Sequence, residues 1–285
     1  MTDTPEYRKS PHWGDPANKL FPHQVGFTAP PHDFDAAPSD FLRIAPREVG
    51  VHGRMLHAPA YAHELSQRVD NFGQLEEVVH CMANNGADAV GQVGTNWVHC
   101  NGTNAQDIRE LTARISETYE TPFHMAGMTL VDAAEHLDVT KVALNSAYYW
   151  PDWRDGIAGF LQSADLDLLY AGNFVDLGMM ETQQEVNDRH WCFPESFAVE
   201  SAIRTAEAAP DAEAILVNGM CNFRREDNGL AERVLHKVEA MEAATGLPVL
   251  ASDITLYWAL FRTIGVTPAE TPGRLLSTLN ESATP

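Results

Sequence analysis

The chain has 285 residues, with 40 acidic against 19 basic side chains and a formal net charge of -21. A surface of that sign repels phosphate backbones and anionic bilayers, so neither nucleic acid nor membrane is an expected partner. Hydrophobic residues make up 44% of the sequence, enough for one large domain, or two of about 120 to 150 residues, without metal or disulfide staples.

Residues 1–21 are rich in Pro and aperiodic, and they read as an extended arm. QVGFTAP (24–30), GVHGRMLH (50–57), ADAVGQVG (87–94) and PFHMAG (122–127) then read as strands. Segments 62–85 and 103–119 between them have helical spacing, with Leu65, Val69, Phe72, Leu75, Val78 and Val79 on one face. The pattern restarts with KVALNSA (141–147), LDLLYAG (166–172), EAILVNG (213–219) and PVLASD (248–253) as strands, and helices at about 151–162, 195–208 and 229–244. A last helix from Ser252-Asp253 carries Leu256, Tyr257, Leu260 and Phe261 and is expected to pack back on the first half, with 266–285 as a tail. Alternating strands and helices imply parallel sheets with right-handed crossovers. The expected fold is α/β with two lobes, 22–127 and 128–252, each built on a four-stranded parallel sheet, and the cleft between them is the default site.

The four cysteines, Cys81, Cys100, Cys192 and Cys221, show no Cys-x-x-Cys spacing, which speaks against structural zinc. The polar N-terminus lacks an apolar signal core, and no run of about 18 apolar residues occurs. These features predict a cytoplasmic protein with reduced thiols, and they leave a homo-oligomer open. Asn101-Gly102-Thr103 is then a chance sequon.

Chemistry in such sheets sits beyond the carboxyl ends of the strands. Five ends stand out: Thr28-Ala29-Pro30-Pro31-His32, Gly94-Thr95-Asn96, Asn145-Ser146-Ala147-Tyr148, Gly172-Asn173-Phe174 and Asn218-Gly219-Met220-Cys221. A small residue and a hydroxyl or amide residue between strand and helix make a nest of N–H groups that suits a carboxylate or a developing oxyanion.

VGFTAPP, VGTN, LNSAYY, EAAPDAEAILVNG and TGLPVLASD together resemble the arylmalonate decarboxylase and maleate isomerase branch of the aspartate/glutamate racemase superfamily, over about Gln24 to Gly265. The resemblance implies two pseudo-symmetric flavodoxin-like lobes and work without metal or organic cofactor on a small dicarboxylate. Racemases and isomerases of this kind use a cysteine from each lobe; the decarboxylases keep only that of the second lobe and have glycine in the first. By resemblance Gly94 takes the first-lobe thiol position, Thr95 and Asn96 are oxyanion-hole donors, Tyr148 bonds a substrate carboxylate, and Pro30 and Pro31 line the substrate. The second-lobe thiol position falls on Gly219 when aligned along the strand, with Asn218 before it, or on Met220 when aligned backwards from CNFR.

Cys221 is the leading proton donor, with Arg224 as a cation to lower its pKa. His99 is a candidate acid/base or carboxylate partner beside Cys100. DRHWCFPES (188–196) is either a lid bringing His190 and Cys192 or a surface loop anchored by Trp191-Cys192-Phe193. Trp97, Phe174 and Met220 are candidates for an apolar side. Cys81, His52, His57 and His124 read as packing or surface residues, and the acids of 226–243 as a solvated helix face. Three functions fit: decarboxylation of a malonate-type acid, isomerisation or racemisation of a small dicarboxylate, and carboxylate binding without catalysis.

Overall fold

A computed structural model of the chain describes residues 15–29, 35–58, 60–219 and 221–281. The first half contains β1 (His23–Ala29), α1 (Ala37–Ile44), β2 (Val49–Met55), α2 (Leu65–Asp70), α3 (Gly73–Asn84), β3 (Ala89–Gln92), α4 (Ala105–Thr118), β4 (Phe123–Met125) and α5 (Ala126–His136). The second half runs through β5 (Lys141–Asn145), α6 (Pro151–Gln162), β6 (Asp167–Gly172), α7 (Gln183–Asp188), β7 (Cys192–Pro194), α8 (Ser196–Ala208) and β8 (Ala214–Val217). It continues with β9 (Asn222–Arg224), β10 (Ala231–Glu232), α9 (Val238–Thr245), β11 (Val249–Ala251), α10 (Ser252–Ile264) and α11 (Gly273–Glu281).

Two four-stranded parallel sheets form, in the orders β2-β1-β3-β4 and β11-β8-β5-β6. Within each half the order is second, first, third, fourth, so β3 and β8 occupy equivalent places. Both are buried at every position, Ala89–Gln92 and Ala214–Val217, as strands covered by helices on both faces must be. The eight strands expected from the sequence are the eight strands of these sheets.

Local signals explain the helix ends. Asn104 and Asp107 cap α4 reciprocally, through Asp107 N to Asn104 Oδ1 at 3.0 Å and Asn104 N to Asp107 Oδ2 at 3.2 Å. Pro151 opens α6, where a missing N–H costs nothing. Gly265 ends α10 in the left-handed region, φ 68°. α10 is buried from Ser252 to Phe261 and seals the first sheet. Phe261 stacks on Phe41 at 4.3 Å, Thr255 and Thr129 hydroxyls meet at 2.9 Å, and a Cβ on Gly91 would lie 3.1 Å from Leu260.

Four expectations change. The helix over 62–85 is broken into α2 and α3, because the Asn71 side chain caps the Gln67 carbonyl at 2.7 Å and Gly73 is a weak helix former. The helix over 229–244 shrinks to α9. Asn228-Gly229 (φ 69°) instead turns β9 into β10, with Arg225 N bonded to Leu230 O at 2.8 Å, and β9 joins β7 in a small third sheet. Glu242 is not on a solvated face: it is buried and accepts the N–H groups of Val249 and Arg274, both at 3.0 Å. The expected tail carries α11, whose Leu275, Leu276 and Leu279 are buried.

α5 begins hard against the turn that follows β3. A Cβ on Gly127 would stand 2.7 Å from the Thr95 carbonyl oxygen and 2.5 Å from Val98 Cγ2, whereas one on Gly159, mid-helix and exposed, would meet nothing within 4 Å. Gly127→Ala is expected to lower stability by roughly 1–3 kcal/mol through overpacking, and Gly159→Ala to raise it by about 0.5–1 kcal/mol. Urea unfolding of the two variants checks both signs.

Candidate active site

β3 and β8 leave their sheets in the same way, with one further residue and then a glycine at positive φ: Gly94 at 97° and Gly219 at 104°. L side chains are strained there, so each strand end presents bare backbone, and polar residues converge around the two turns. The Thr95 hydroxyl donates to Asn218 Oδ1, and Asn218 Nδ2 donates to Ser146 Oγ at 3.2 Å. This buried chain ties the ends of β3, β8 and β5 together.

Asn96 is buried with its Oδ1 2.7 Å from His99 Nε2, and its Nδ2 has no partner. Burial, aided by the nearby Arg68 guanidinium, lowers the His99 pKa to about 4. The ring is therefore neutral at pH 7 and serves as N–H donor to Asn96 rather than as a cation. Asn96 is left with an amide donor to offer.

A closed circuit of side-chain contacts, called the belt below, borders the two glycines. Arg68 Nε donates to the Tyr61 hydroxyl at 2.8 Å, and the Tyr61 and His63 rings lie 5.0 Å apart. His63 faces Trp191 at 4.5 Å, Trp191 faces Tyr148 at 6.4 Å, and Tyr148 faces Tyr149 at 4.6 Å. Tyr149 meets Trp153 at 5.2 Å, and the Arg68 guanidinium closes the circuit 4.6 Å from the Trp153 ring. Both glycines touch this belt. A Cβ on Gly94 would lie 3.5 Å from Trp97 and 3.7 Å from Arg68 Nη1; one on Gly219 would lie 3.0 Å from Tyr149 and 3.3 Å from Tyr148. His63, Ala147 and Trp191, in or beside the belt, hold positive φ of 59°, 48° and 58°, the kind of local strain that clusters at functional sites.

The structure thus brings Gly94, Thr95, Asn96, Trp97, His99, Tyr148, Asn218 and Gly219 together. Pro30, Pro31 and Met220 lie outside the described residues. Cys221 is a correction. It is fully buried in the core, where desolvation and then the Asp253 carboxylate push its thiol pKa far above the ordinary value. The cation beside it is Arg233, while Arg224 is exposed and bonds the Gly229 carbonyl.

Burial also raises the Cys100 thiol to about 11. Phe174 packs on Phe193 and Phe197 in the second lobe's core. Segment 188–196 is the end of α7 followed by β7 and the start of α8. It turns Trp191 onto the belt, leaves His190 exposed and buries Phe193. His124 bonds the Thr263 hydroxyl at 2.8 Å, away from this belt.

Sequence reading missed Arg68, Tyr61, His63, Tyr149 and Trp153. The signal for most of them is aromatic density, in YYWPDW (148–153) and AYAH (60–63). Among the described residues no group of three or more His, Cys, Asp or Glu is placed to hold a metal ion, and no helix is long and apolar enough to cross a membrane. A groove of about 450 Å³ over β1 and β2, lined by Phe21, Cys81 and Met82 among others, shares no residue with the belt.

Fold and site define a parallel α/β protein with two four-stranded sheets whose strand ends meet at one buried polar cluster. The chain belongs to the arylmalonate decarboxylase family, whose family model matches residues 48–276. Among solved structures, arylmalonate decarboxylase is similar at 21% identity and TM-score 0.66, over 89% of this chain and 99% of that one. Maleate isomerase Iso from Pseudomonas putida S16 is similar at 14% identity and TM-score 0.67, over 90% and 99%. The maleate cis-trans isomerase of Nocardia farcinica is similar at 16% identity and TM-score 0.64, over 92% and 100%. A search of curated proteins finds no significant match.

Two measurements test this geometry. The folded His99 takes up its proton only near pH 4, while an unfolded histidine does so near 6.5. Its contribution to stability is therefore complete above pH 6.5 and is lost as pH falls towards 4, by up to about 3 kcal/mol. In His99→Gln the stability difference between pH 7 and about pH 4.5 shrinks by that order in urea titrations. Alkylation followed by mass spectrometry should label half-exposed Cys192 well before Cys221 in the native protein.

Proposed function

We propose that this protein is a cofactor-independent enzyme that acts at the carbon α to a carboxylate through an enediolate, decarboxylating a malonate-type or related small dicarboxylic acid. The observation that carries this reading is the unpartnered Asn96 amide, set beside a Thr95 turn whose hydroxyl is anchored on Asn218, where two side-chain-free turns meet within an aromatic belt. Fixed donors in a water-poor site stabilise charge that develops on a carboxylate oxygen far better than water does.

The reaction breaks one carbon–carbon bond. Its electron pair passes into the retained carboxylate, forming the enediolate at the Asn96 amide beside the Thr95 turn, and carbon dioxide leaves against the aromatic wall. A proton then adds to the carbon. Tyr148 is the donor this reading assigns. Its ring carbons Cε1 and Cζ stand 3.3 and 3.5 Å from where a Cβ on Gly219 would be, so its phenol occupies the ground a second-lobe thiol would take. A route through a covalent thiol adduct, which the isomerase reading needs, has no support from a core-buried Cys221.

The experiment is a panel of substituted malonates and short dicarboxylates incubated in heavy water and followed by proton NMR. Decarboxylation with deuterium at the α carbon is the expected result. Exchange or isomerisation without loss of carbon dioxide would replace the lyase reading with an isomerase. Saturable binding without turnover would make this a carboxylate-binding protein. With an active substrate, Thr95→Ala and Asn96→Ala should each lower kcat by about 10²–10³, and Tyr148→Phe should abolish protonation by the enzyme and with it any stereochemical preference in the product.

A further inference from the structure

Two arginines are buried among the described residues, Arg68 and Arg233, each 4% exposed. Arg233 is matched by a carboxylate, with Nη1 3.1 Å from Asp35 Oδ1 and Nη2 3.0 Å from Asp35 Oδ2. Arg68 has no carboxylate within ion-pair distance among the described residues. Its Nε is spent on Tyr61, and its buried Nη1 has no acceptor.

A charge held out of water without a counter-ion is costly. The rings of Trp97 at 5.2 Å and Trp153 at 4.6 Å offset part of that cost through their faces. They cannot satisfy the planar donor edge of the guanidinium, which is shaped for a carboxylate. The unpartnered Nη1 lies 3.7 Å from where a Cβ on Gly94 would stand, one residue from Thr95. The position is built to receive an anion.

We propose that Arg68 clamps a second anionic group of the substrate, a carboxylate that is kept through the reaction rather than lost. This inference rests on the acid-acting site argued above and narrows its substrate class. A carboxylate paired with a guanidinium is stabilised in its ionised ground state, and expelling it as carbon dioxide would break that pair. The group that leaves must instead sit against the aromatic faces, while the group at Arg68 acts as a handle. The substrate is a compact acid bearing one carboxylate for Thr95 and Asn96 and another for Arg68, a few bonds apart. For decarboxylation this narrows the substrate to a substituted malonate whose substituent carries the carboxylate held by Arg68.

The test is calorimetric titration of the full-length chain with succinate, maleate and glutarate against butyrate and crotonate, in the wild type, Arg68→Met, Arg68→Lys and Thr95→Ala. The wild type should bind at least one diacid about tenfold or more tighter than the monoacid of the same length. Arg68→Met should erase that preference while leaving monoacid affinity within about twofold. Arg68→Lys, which keeps the charge and loses the fork, should retain part of it, and Thr95→Ala should weaken both classes alike.

Arg68→Met should also unfold at an unchanged or higher temperature without ligand, since it removes an unmatched buried charge. A wild type without diacid preference, or an Arg68→Met variant that keeps it, overturns the clamp. Should Arg68→Met fail to fold, Arg68→Lys decides, and an unaltered preference there overturns the clamp as well. Loss of the preference in Arg68→Met with no turnover of any acid would uphold the clamp and defeat the enzymatic reading. Turnover with a diacid preference indifferent to Arg68 would do the reverse.

Discussion

Two backbone turns organise this molecule. β3 and β8 each run into a glycine at φ near 100°, and at that angle the chain leaves the sheet without a side chain in the way. The polar and aromatic side chains at the strand ends are arranged around these two turns. Thr95 and Asn218 can meet because no Cβ separates the turns, and the aromatic belt can close over them for the same reason. The pseudo-symmetry of the sheets makes these two turns equivalent, so one conformational requirement, applied twice, produces a two-sided site.

Electrostatics then sets the character of that site. With a net charge of -21, the surface does nothing to attract an acid from solution, since like charges repel within a Debye length of about 8 Å at physiological salt. Recognition of the proposed acid therefore has to be local. A buried guanidinium is little screened by salt, and the neutral His99 beside Asn96 adds a hydrogen bond without adding charge. The strand-end cluster therefore holds one buried cation in a chain that is acidic overall. That contrast would favour a small anion able to strip off its water.

Much of this was legible in the sequence, and the remainder was hidden for definite reasons. Alternating apolar runs locate all eight main strands because buried parallel strands need continuous hydrophobic residues, and the strand-end motifs locate Gly94, Thr95, Asn96 and Tyr148. Arg68 was invisible because periodicity assigns the apolar face of a helix to its core side. α2 does the opposite: Arg68 is 4% exposed while Val69 is 38% exposed. The break at Asn71 frees α2 from the phase of α3, so a helix that reads as one amphipathic stripe is two helices facing different ways. The belt was hidden because its members come from residues 61 to 191 and meet only in three dimensions. Asn228-Gly229 was readable as a hairpin turn but was outweighed by the helical spacing around it.

Cys221 shows how a single backbone angle can decide a chemical question. Two residues past Gly219, it would share that residue's face if the strand simply continued, because side chains alternate with a period of two. The positive φ at Gly219 ends that strand. A new alternation begins in which Cys221 and Phe223 are buried and Arg224 is exposed, and Cys221 stands with the core. Moving the thiol outward would bury Asn222 in its place and turn Phe223 towards water, which neither the hydrophobic term nor the unsatisfied amide would permit. The apolar partner at Phe223 fixes Cys221 inside as firmly as glycine fixes the turn. The strand ends therefore meet among hydroxyl, amide, phenol and guanidinium groups, with the thiol held in the core.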